Sequence, residues 1–372
     1  MIKKMYYYTS TETMQKILQN GNMWATNLAY MNDAREAING LDEIKKLLTD
    51  TWAIQEWLQQ HPEFGIQEDI YEKMNPTAIL TDDNRQDMLD SSSKYTLSFC
   101  KEKNLLSQWI AYARESGVCI EMAFDLDKDM SFCFYGFDPE EKERKISQNE
   151  RPKKILYYTY SSNMPDDKEE ETRNEILKRI FADKLTPEIL KKKWNEVSVF
   201  VKQYDFYQEQ EYRIAFETEG WEPFRIGYRA DKHILKPYLD VACKDGWPVT
   251  MVMIGPGFNQ QVVFDSIKFF LNHESIKSSA LKSVEQWKQH LKEYFAEASE
   301  TCYVLKNQNS QERLEKWLDK LSESDICDGG ARAKIQKRVI SLLGEEYRKY
   351  FDTHYLSVSG IVLQKSDIPY IY

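Results

Sequence analysis

The chain has 372 residues and a mass of 44.1 kDa, enough for about two average domains. Hydrophobic residues make up 42% and charged residues 30%, which excludes wholesale disorder, and Gly (14) and Pro (11) are too scarce for collagen-like or low-complexity architectures. A formal net charge of -10 excludes broad electrostatic capture of nucleic acid and leaves room only for a local basic patch.

Taken in chain order, residues 4–9 are aromatic and β-prone, and Ser10 or Thr11 can cap a helix carrying Met14, Ile17 and Leu18 at helical spacing. Asn20-Gly21-Asn22 ends that helix, and residues 23–26 read as a second short strand. Asn32, Asp33, Arg35 and Glu36 lead into a helix through Leu41, Ile44, Leu47 and Leu48. Residues 50–92 are polar and irregularly helical, a first candidate insertion. Strands are expected at 95–100, 118–124 and 155–160, with a short helix at 105–113 that places Trp109 and Tyr112 on one side. The charged stretch 161–173 reads as a solvated connector, followed by helix to about 203. Strands follow at 207–217, near 224–228 and at 249–254, the last closed by Gly255-Pro256-Gly257. From about 260 to 352 the chain turns helical, with amphipathic faces through Leu281, Val284, Trp287, Leu291 and Tyr294, through Leu314, Trp317 and Leu318, and through Ile335, Val339 and Leu342. A last strand is expected at 358–364. The fold class is α+β: a core at 1–271 and 356–372, interrupted at about 50–92, with a helical insertion module at 272–355 before the last strand.

The cysteines show no CxxC spacing and the histidines stand singly, so neither a metal centre nor a disulfide framework is expected. The opening residues run at once into polar Thr9-Ser10-Thr11-Glu12, unlike a signal peptide, and no window of 18 apolar residues exists. The expectation is a reduced, cytoplasmic protein with no membrane contact. Gly-x-Gly-x-x-Gly, a Walker-type Gly-Lys-Ser/Thr, a Gly-x-Ser-x-Gly elbow and His-Glu-x-x-His are all missing, which removes the dinucleotide-fold, P-loop, hydrolase and zinc-protease readings.

One segment carries chemistry. If 207–217 is a strand, Tyr207, Glu209, Glu211 and Arg213 share one face, with the two carboxylates about 6–7 Å apart. Such a pair can divide labour, one holding a substrate hydroxyl while the other orients an acceptor. The plainer reading is a solvated face with a Glu211–Arg213 ion pair. Tyr6, Tyr7 and Tyr8 are packing on a plain reading and a ring-stacking platform on a functional one. Asp33 and Glu36 are first-turn acids of a helix before they are ligands. Lys191-Lys192-Lys193 reads as a solvated helix face.

Seven motifs occur in order: Met5-Tyr6-Tyr7-Tyr8-Thr9-Ser10, Asn32-Asp33 with Glu36, Leu97-Ser98-Phe99, Gln108-Trp109-Ile110-Ala111-Tyr112-Ala113 with Gly117-Val118-Cys119-Ile120-Glu121, Glu209-Gln210-Glu211-Tyr212-Arg213, Ile254-Gly255-Pro256, and Ser366-Asp367-Ile368-Pro369-Tyr370. In this the chain resembles the bacterial family called domain of unknown function 2971. Its opening strand is also similar to that of ADP-ribosyltransferase-like toxins such as the DarT group. The latter resemblance implies an ADP-ribosyltransferase-like mixed or antiparallel β core and NAD as substrate. It implies Glu211 as the catalytic carboxylate on the nicotinamide ribose and Glu209 as the acceptor-orienting group. Tyr7, Tyr8, Thr9, Ser10, Ser98, Trp109, Tyr112 and Arg213 would contact NAD, and Asn32, Asp33, Arg35 and Glu36 are further candidates. Tyr7 stands where those toxins carry a histidine, and Arg213 or Arg35 is the substitute donor. The implied function is an NAD-consuming toxin or antiphage effector, with nucleic acid only as an acceptor and a protein partner on the 272–355 module. The alternative is a non-enzymatic sensor that binds a nucleotide or a phage protein.

Overall fold

In the computed structural model the described residues are 1–31, 36–85, 94–113, 117–136, 144–160, 164–218, 226–231, 233–257, 259–274, 276–301, 308–327, 329–343 and 354–368. The protein is mixed α+β, its strand pairings mostly antiparallel, and the chain divides into two compact units. Among the described residues no helix is long and apolar enough to cross a membrane.

Unit 1 comprises Met1–Met23, Phe99–Ser131 and Ala242–Tyr372. The opening strand Ile2–Thr9 pairs antiparallel along its whole length with Val118–Asp125, from Ile2 opposite Asp125 to Thr9 opposite Val118. On its other edge Val118–Asp125 takes Val249–Ile254 antiparallel, which in turn takes Val362–Lys365 in parallel. His354–Leu356 closes this end as a short antiparallel edge. The expected last strand is thus two, separated by a tight turn at Gly360, whose φ of 84° is in the left-handed region and whose missing Cβ leaves room for Trp287.

The first helix forms as its sequence dictates. Ser10 accepts the Thr13 N–H at 3.1 Å, Gly21 closes the other end at φ 76°, and Met14, Ile17 and Leu18 are buried between. Helices Val284–Thr301, Gln308–Asp319 and Gly329–Leu343 set Trp287, Leu291, Leu318, Ile335 and Val339 into one core with Tyr6, Tyr8, Trp109, Met251 and Met253. Apolar side chains from three helices thus meet side chains of the strands Ile2–Thr9 and Val249–Ile254 in one core.

Unit 2 comprises Trp24–Ser98 and Phe132–Val241. Its helices Glu36–Thr49, Thr51–Gln60, Glu68–Met74, Asp166–Ile180 and Pro187–Ser198 bury Ile44, Leu48, Trp57, Tyr71, Ile176, Leu177, Leu190 and Trp194 in one core. The polar segment 50–92 therefore supplies Ile54, Trp57, Leu58, Tyr71 and Leu80 to that core. Two sequence expectations are corrected. The charged stretch 161–173 is helical from Asp166, because Asp166, Asp167 and Glu169 oppose the helix dipole at the start while Lys178 and Arg179 do so at the end. The single helix expected to reach 203 is broken between Ile180 and Pro187, where Thr186 caps the second helix by accepting the Ile189 N–H at 3.2 Å. The chain then enters the two-residue strand Val201–Lys202, parallel to Leu156–Tyr157.

Two histidines make unit 1 acid-sensitive. His290 is buried with Nε2 2.8 Å from the Gly360 carbonyl, which can only accept, so Nε2 carries the proton of a neutral ring. Burial holds His290 below its ordinary value and drives His354 down to about 4. A histidine whose folded pKa is depressed binds its proton first in the unfolded chain, so its stabilisation is complete above about pH 6.5 and is lost as pH falls toward 4. The melting temperature is expected to drop between pH 7 and pH 5. His354→Gln should flatten that dependence, and an unchanged slope in the variant would contradict the assignment.

Candidate functional site

The most chemically loaded place in unit 2 is the junction of the short helix Tyr204–Glu209 with the strand Glu211–Glu217. The expected continuous strand 207–217 is not formed. Tyr204–Glu209 is a 3-10 helix and Gln210 turns through the left-handed region at φ 43° before the strand begins. Glu209 consequently does not share a strand face with Glu211, and the carboxylate spacing inferred from alternation does not apply.

Both carboxylates converge instead on a lysine. Lys202 donates to Glu209 Oε2 at 2.7 Å and to Glu211 Oε2 at 3.2 Å. Arg213, two residues along the same strand, forks onto Glu211, with Nε 2.6 Å from Oε1 and Nη2 3.0 Å from Oε2. Its third nitrogen, Nη1, donates to the Val199 carbonyl at 2.9 Å. The solvated ion pair expected from sequence is therefore a buried one, with Glu211 at 4% and Arg213 at 1% exposure. The backbone around Glu211 is tied as well: its N–H donates to the Tyr157 hydroxyl at 2.7 Å, and its carbonyl accepts from Ile155 at 3.0 Å.

Burial pushes the Glu211 carboxyl above its ordinary range, and Lys202 chiefly opposes that. Burial likewise depresses Arg213. The two-pronged geometry is that of a charged pair, and each partner removes the reason for the other to neutralise, so both are held as ions. Lys202 is held above its usual value despite burial, by Glu211 and Glu209. Ser98 lies near enough to favour the Glu211 charge yet outside hydrogen-bond geometry, so its Oγ is a buried oxygen without a partner among the described residues.

Tyr157 links this centre to a cleft of about 510 Å³ on the same unit. One wall is aromatic. Because a 3-10 helix has three residues per turn, Tyr204 and Tyr207 eclipse and stack, with centroids 5.4 Å apart at 27°. Tyr157 meets Tyr207 edge-on at 5.5 Å. The helix Asp166–Ile180 also lines it, with Lys168, Glu171, Glu175, Lys178 and Arg179, and Lys154 joins from the strand Lys153–Lys154. A volume in this range suits a small organic ligand.

The remaining sequence candidates lie in unit 1 or outside the described residues, apart from Glu36 in unit 2. Tyr8 is buried and its hydroxyl accepts the Leu105 N–H at 2.9 Å. Trp109 is buried edge-on to Tyr8 at 4.9 Å, its indole N–H on Asn104 Oδ1 at 3.0 Å. Thr9 is buried, Ser10 caps the first helix, Tyr7 lies against Phe99 at 5.8 Å, and Tyr112 is exposed. Asn32, Asp33 and Arg35 lie outside the described residues, and Glu36 opens the helix Glu36–Thr49 without a described side chain. Unit 1 also holds a polar cluster not anticipated from sequence: Tyr6 donates to Glu121 Oε2 at 3.0 Å, Thr250 to Oε1 at 2.8 Å, and Lys4 bridges Glu121 at 3.2 Å and Glu293 at 2.8 Å. Among the described residues no group of His, Cys, Asp and Glu is arranged to hold a metal ion.

Sequence reasoning missed Lys202, Tyr157 and the cleft's cations. Lys202 did leave a trace: a lone lysine at the end of the apolar run Val199-Phe200-Val201 must be paired if the run is buried. The cleft left none, since its walls are brought together by packing between segments distant in sequence. No curated protein and no solved structure matches the chain. The family model described as Protein of unknown function (DUF2971) matches residues 108–214, a span that contains Tyr157, Lys202, Glu209, Glu211, Arg213 and the cleft between them.

Proposed function

We propose that the chain binds a nucleotide in unit 2 and works as a recognition module without turnover. The observation that carries the reading is the cleft beside Tyr157, with stacked Tyr204 and Tyr207 on one wall and four cations against two carboxylates around it, in a chain of net charge -10. Flat rings pair with tyrosine faces and anions with the cations, so a ring that bears phosphate suits both walls.

The buried state of Glu211 favours recognition over catalysis. A carboxylate that must hold a ribose hydroxyl and steady an oxocarbenium-like centre needs an oxygen facing the substrate. Both oxygens of Glu211 are already bonded to Arg213, and one also to Lys202. A second reading keeps the transferase, on an ADP-ribosyltransferase-like fold, and rests on Glu209, which is partly exposed, lies two residues beyond Tyr207 and is held by Lys202.

NAD distinguishes the two. Binding only to the folded state raises apparent stability, by about 2.7 kcal/mol at a hundredfold excess over Kd. Recognition predicts a higher melting temperature with NAD and no nicotinamide release. Nicotinamide release that disappears in Glu209→Gln would establish the transferase instead. Glu211→Gln is unsuitable for this comparison, because it breaks the buried pair and confounds activity with folding.

A further inference from the structure

We infer that the unit 2 cleft takes a nucleoside diphosphate, its base against Tyr207 and its two phosphates between Lys154 and Lys178. The inference rests on the nucleotide reading and adds the phosphate count and the residues that read it. The charge bookkeeping of the cleft leads there. Arg179 pairs with Glu175 at 3.0 Å and Lys168 with Glu171 at 3.5 Å, both within one helix, so each cation is largely matched by its own carboxylate. Lys154 and Lys178 have no carboxylate within ion-pair distance among the described residues, and both line the cleft. Two uncompensated ammonium groups match two phosphates better than one, because each lysine is a compact charge that serves one phosphoryl group.

The aromatic wall reads the other end of the ligand. Tyr207 is 41% exposed and is held by Tyr204 stacked against it and by the buried Tyr157 packed edge-on, so the ring is fixed rather than swinging free. Stacking on tyrosine is tolerant of base identity. The base is accordingly left open by the wall, whereas the phosphate number is set by the lysines. The cleft volume of about 510 Å³ is also in the range for a ligand of this size.

The test is calorimetric titration of the full chain with adenosine, AMP, ADP, UDP and inorganic pyrophosphate. Affinity should rise by about tenfold or more from adenosine to ADP, UDP should bind comparably to ADP, and binding of ADP should weaken with added salt. Lys154→Met and Lys178→Met, both at exposed positions, should each weaken ADP by about tenfold and leave adenosine unchanged. Tyr207→Ala should weaken ADP and leave pyrophosphate unchanged. ADP binding no tighter than adenosine would overturn the diphosphate assignment and leave the nucleotide reading in place. Pyrophosphate binding as tightly as ADP, with Tyr207→Ala silent, would overturn both, as would no binding of any of the five.

Discussion

Replacing Glu211 with alanine is expected to cost about 3–5 kcal/mol, the loss typical when one partner of a buried ion pair is removed. Arg213 is the reason. Its guanidinium is 1% exposed and two of its nitrogens donate to Glu211, so the substitution leaves a desolvated cation without the carboxylate that balances its charge, while its bond to the Val199 carbonyl stays. Lys202 is less affected, because Glu209 keeps it at 2.7 Å. A domain stable by about 5–15 kcal/mol loses a large part of its margin. Glu211→Gln should behave nearly as badly, since it keeps the shape but removes the charge. The double replacement Glu211→Met with Arg213→Met should recover most of the loss, because both charges leave the interior together. Urea unfolding of the wild type, Glu211→Met, Arg213→Met and the double variant closes the cycle. A Glu211→Ala protein within about 1 kcal/mol of wild type would show that the pair is neutral or solvated, and the account of the site would have to change.

That buried pair also shows how much could be read from the sequence. Alternation along a strand correctly placed Glu211 and Arg213 on one face, and they are hydrogen-bonded to each other. The same rule failed one residue earlier, because Gln210 at φ 43° ends the strand, a conformation that no periodicity announces. The opening strand, its helix and the Ser10 and Gly21 caps were legible, since capping and amphipathic spacing are local signals. Strand Met130–Gly136 was overlooked although Met130, Phe132 and Phe134 alternate along it, and its sheet neighbour Arg144–Glu150 left little signal, with Ile146 its one apolar residue. The aromatic residues divide in the same way. Tyr8 and Trp109 satisfy the packing reading, with hydroxyl and indole N–H bonded to their surroundings. The tyrosines that line a cleft, Tyr157, Tyr204 and Tyr207, come from the parallel strand pair and a 3-10 turn, where i and i+3 eclipse. Of these, alternation points only to Tyr207, and to a strand face it does not occupy.

The core under that cleft should be equally intolerant of a missing ring. Trp194→Ala is expected to cost about 3–5 kcal/mol, at the upper end for a buried aromatic. The ring is fully buried in the cluster that also takes Ile176, Leu177 and Ile180 from the cleft's helical wall. Its indole N–H donates to the Leu41 carbonyl at 2.8 Å, so alanine also removes that hydrogen bond, a further loss of about 0.5–1.5 kcal/mol that overlaps with the first. Relaxation cannot offset this. At Gly40 a Cβ would meet the Ser198 carbonyl oxygen at 2.5 Å, so the helices Glu36–Thr49 and Pro187–Ser198 already touch backbone to backbone beside the ring and cannot close further. Trp194→Phe separates the contributions: it keeps most of the apolar volume and loses the hydrogen bond, and should cost less than half as much as alanine. Urea midpoints followed by far-ultraviolet dichroism measure both. A Trp194→Ala loss below about 1 kcal/mol would mean that the helix pair collapses into the vacated space, and the account of a backbone contact that blocks closure would have to change.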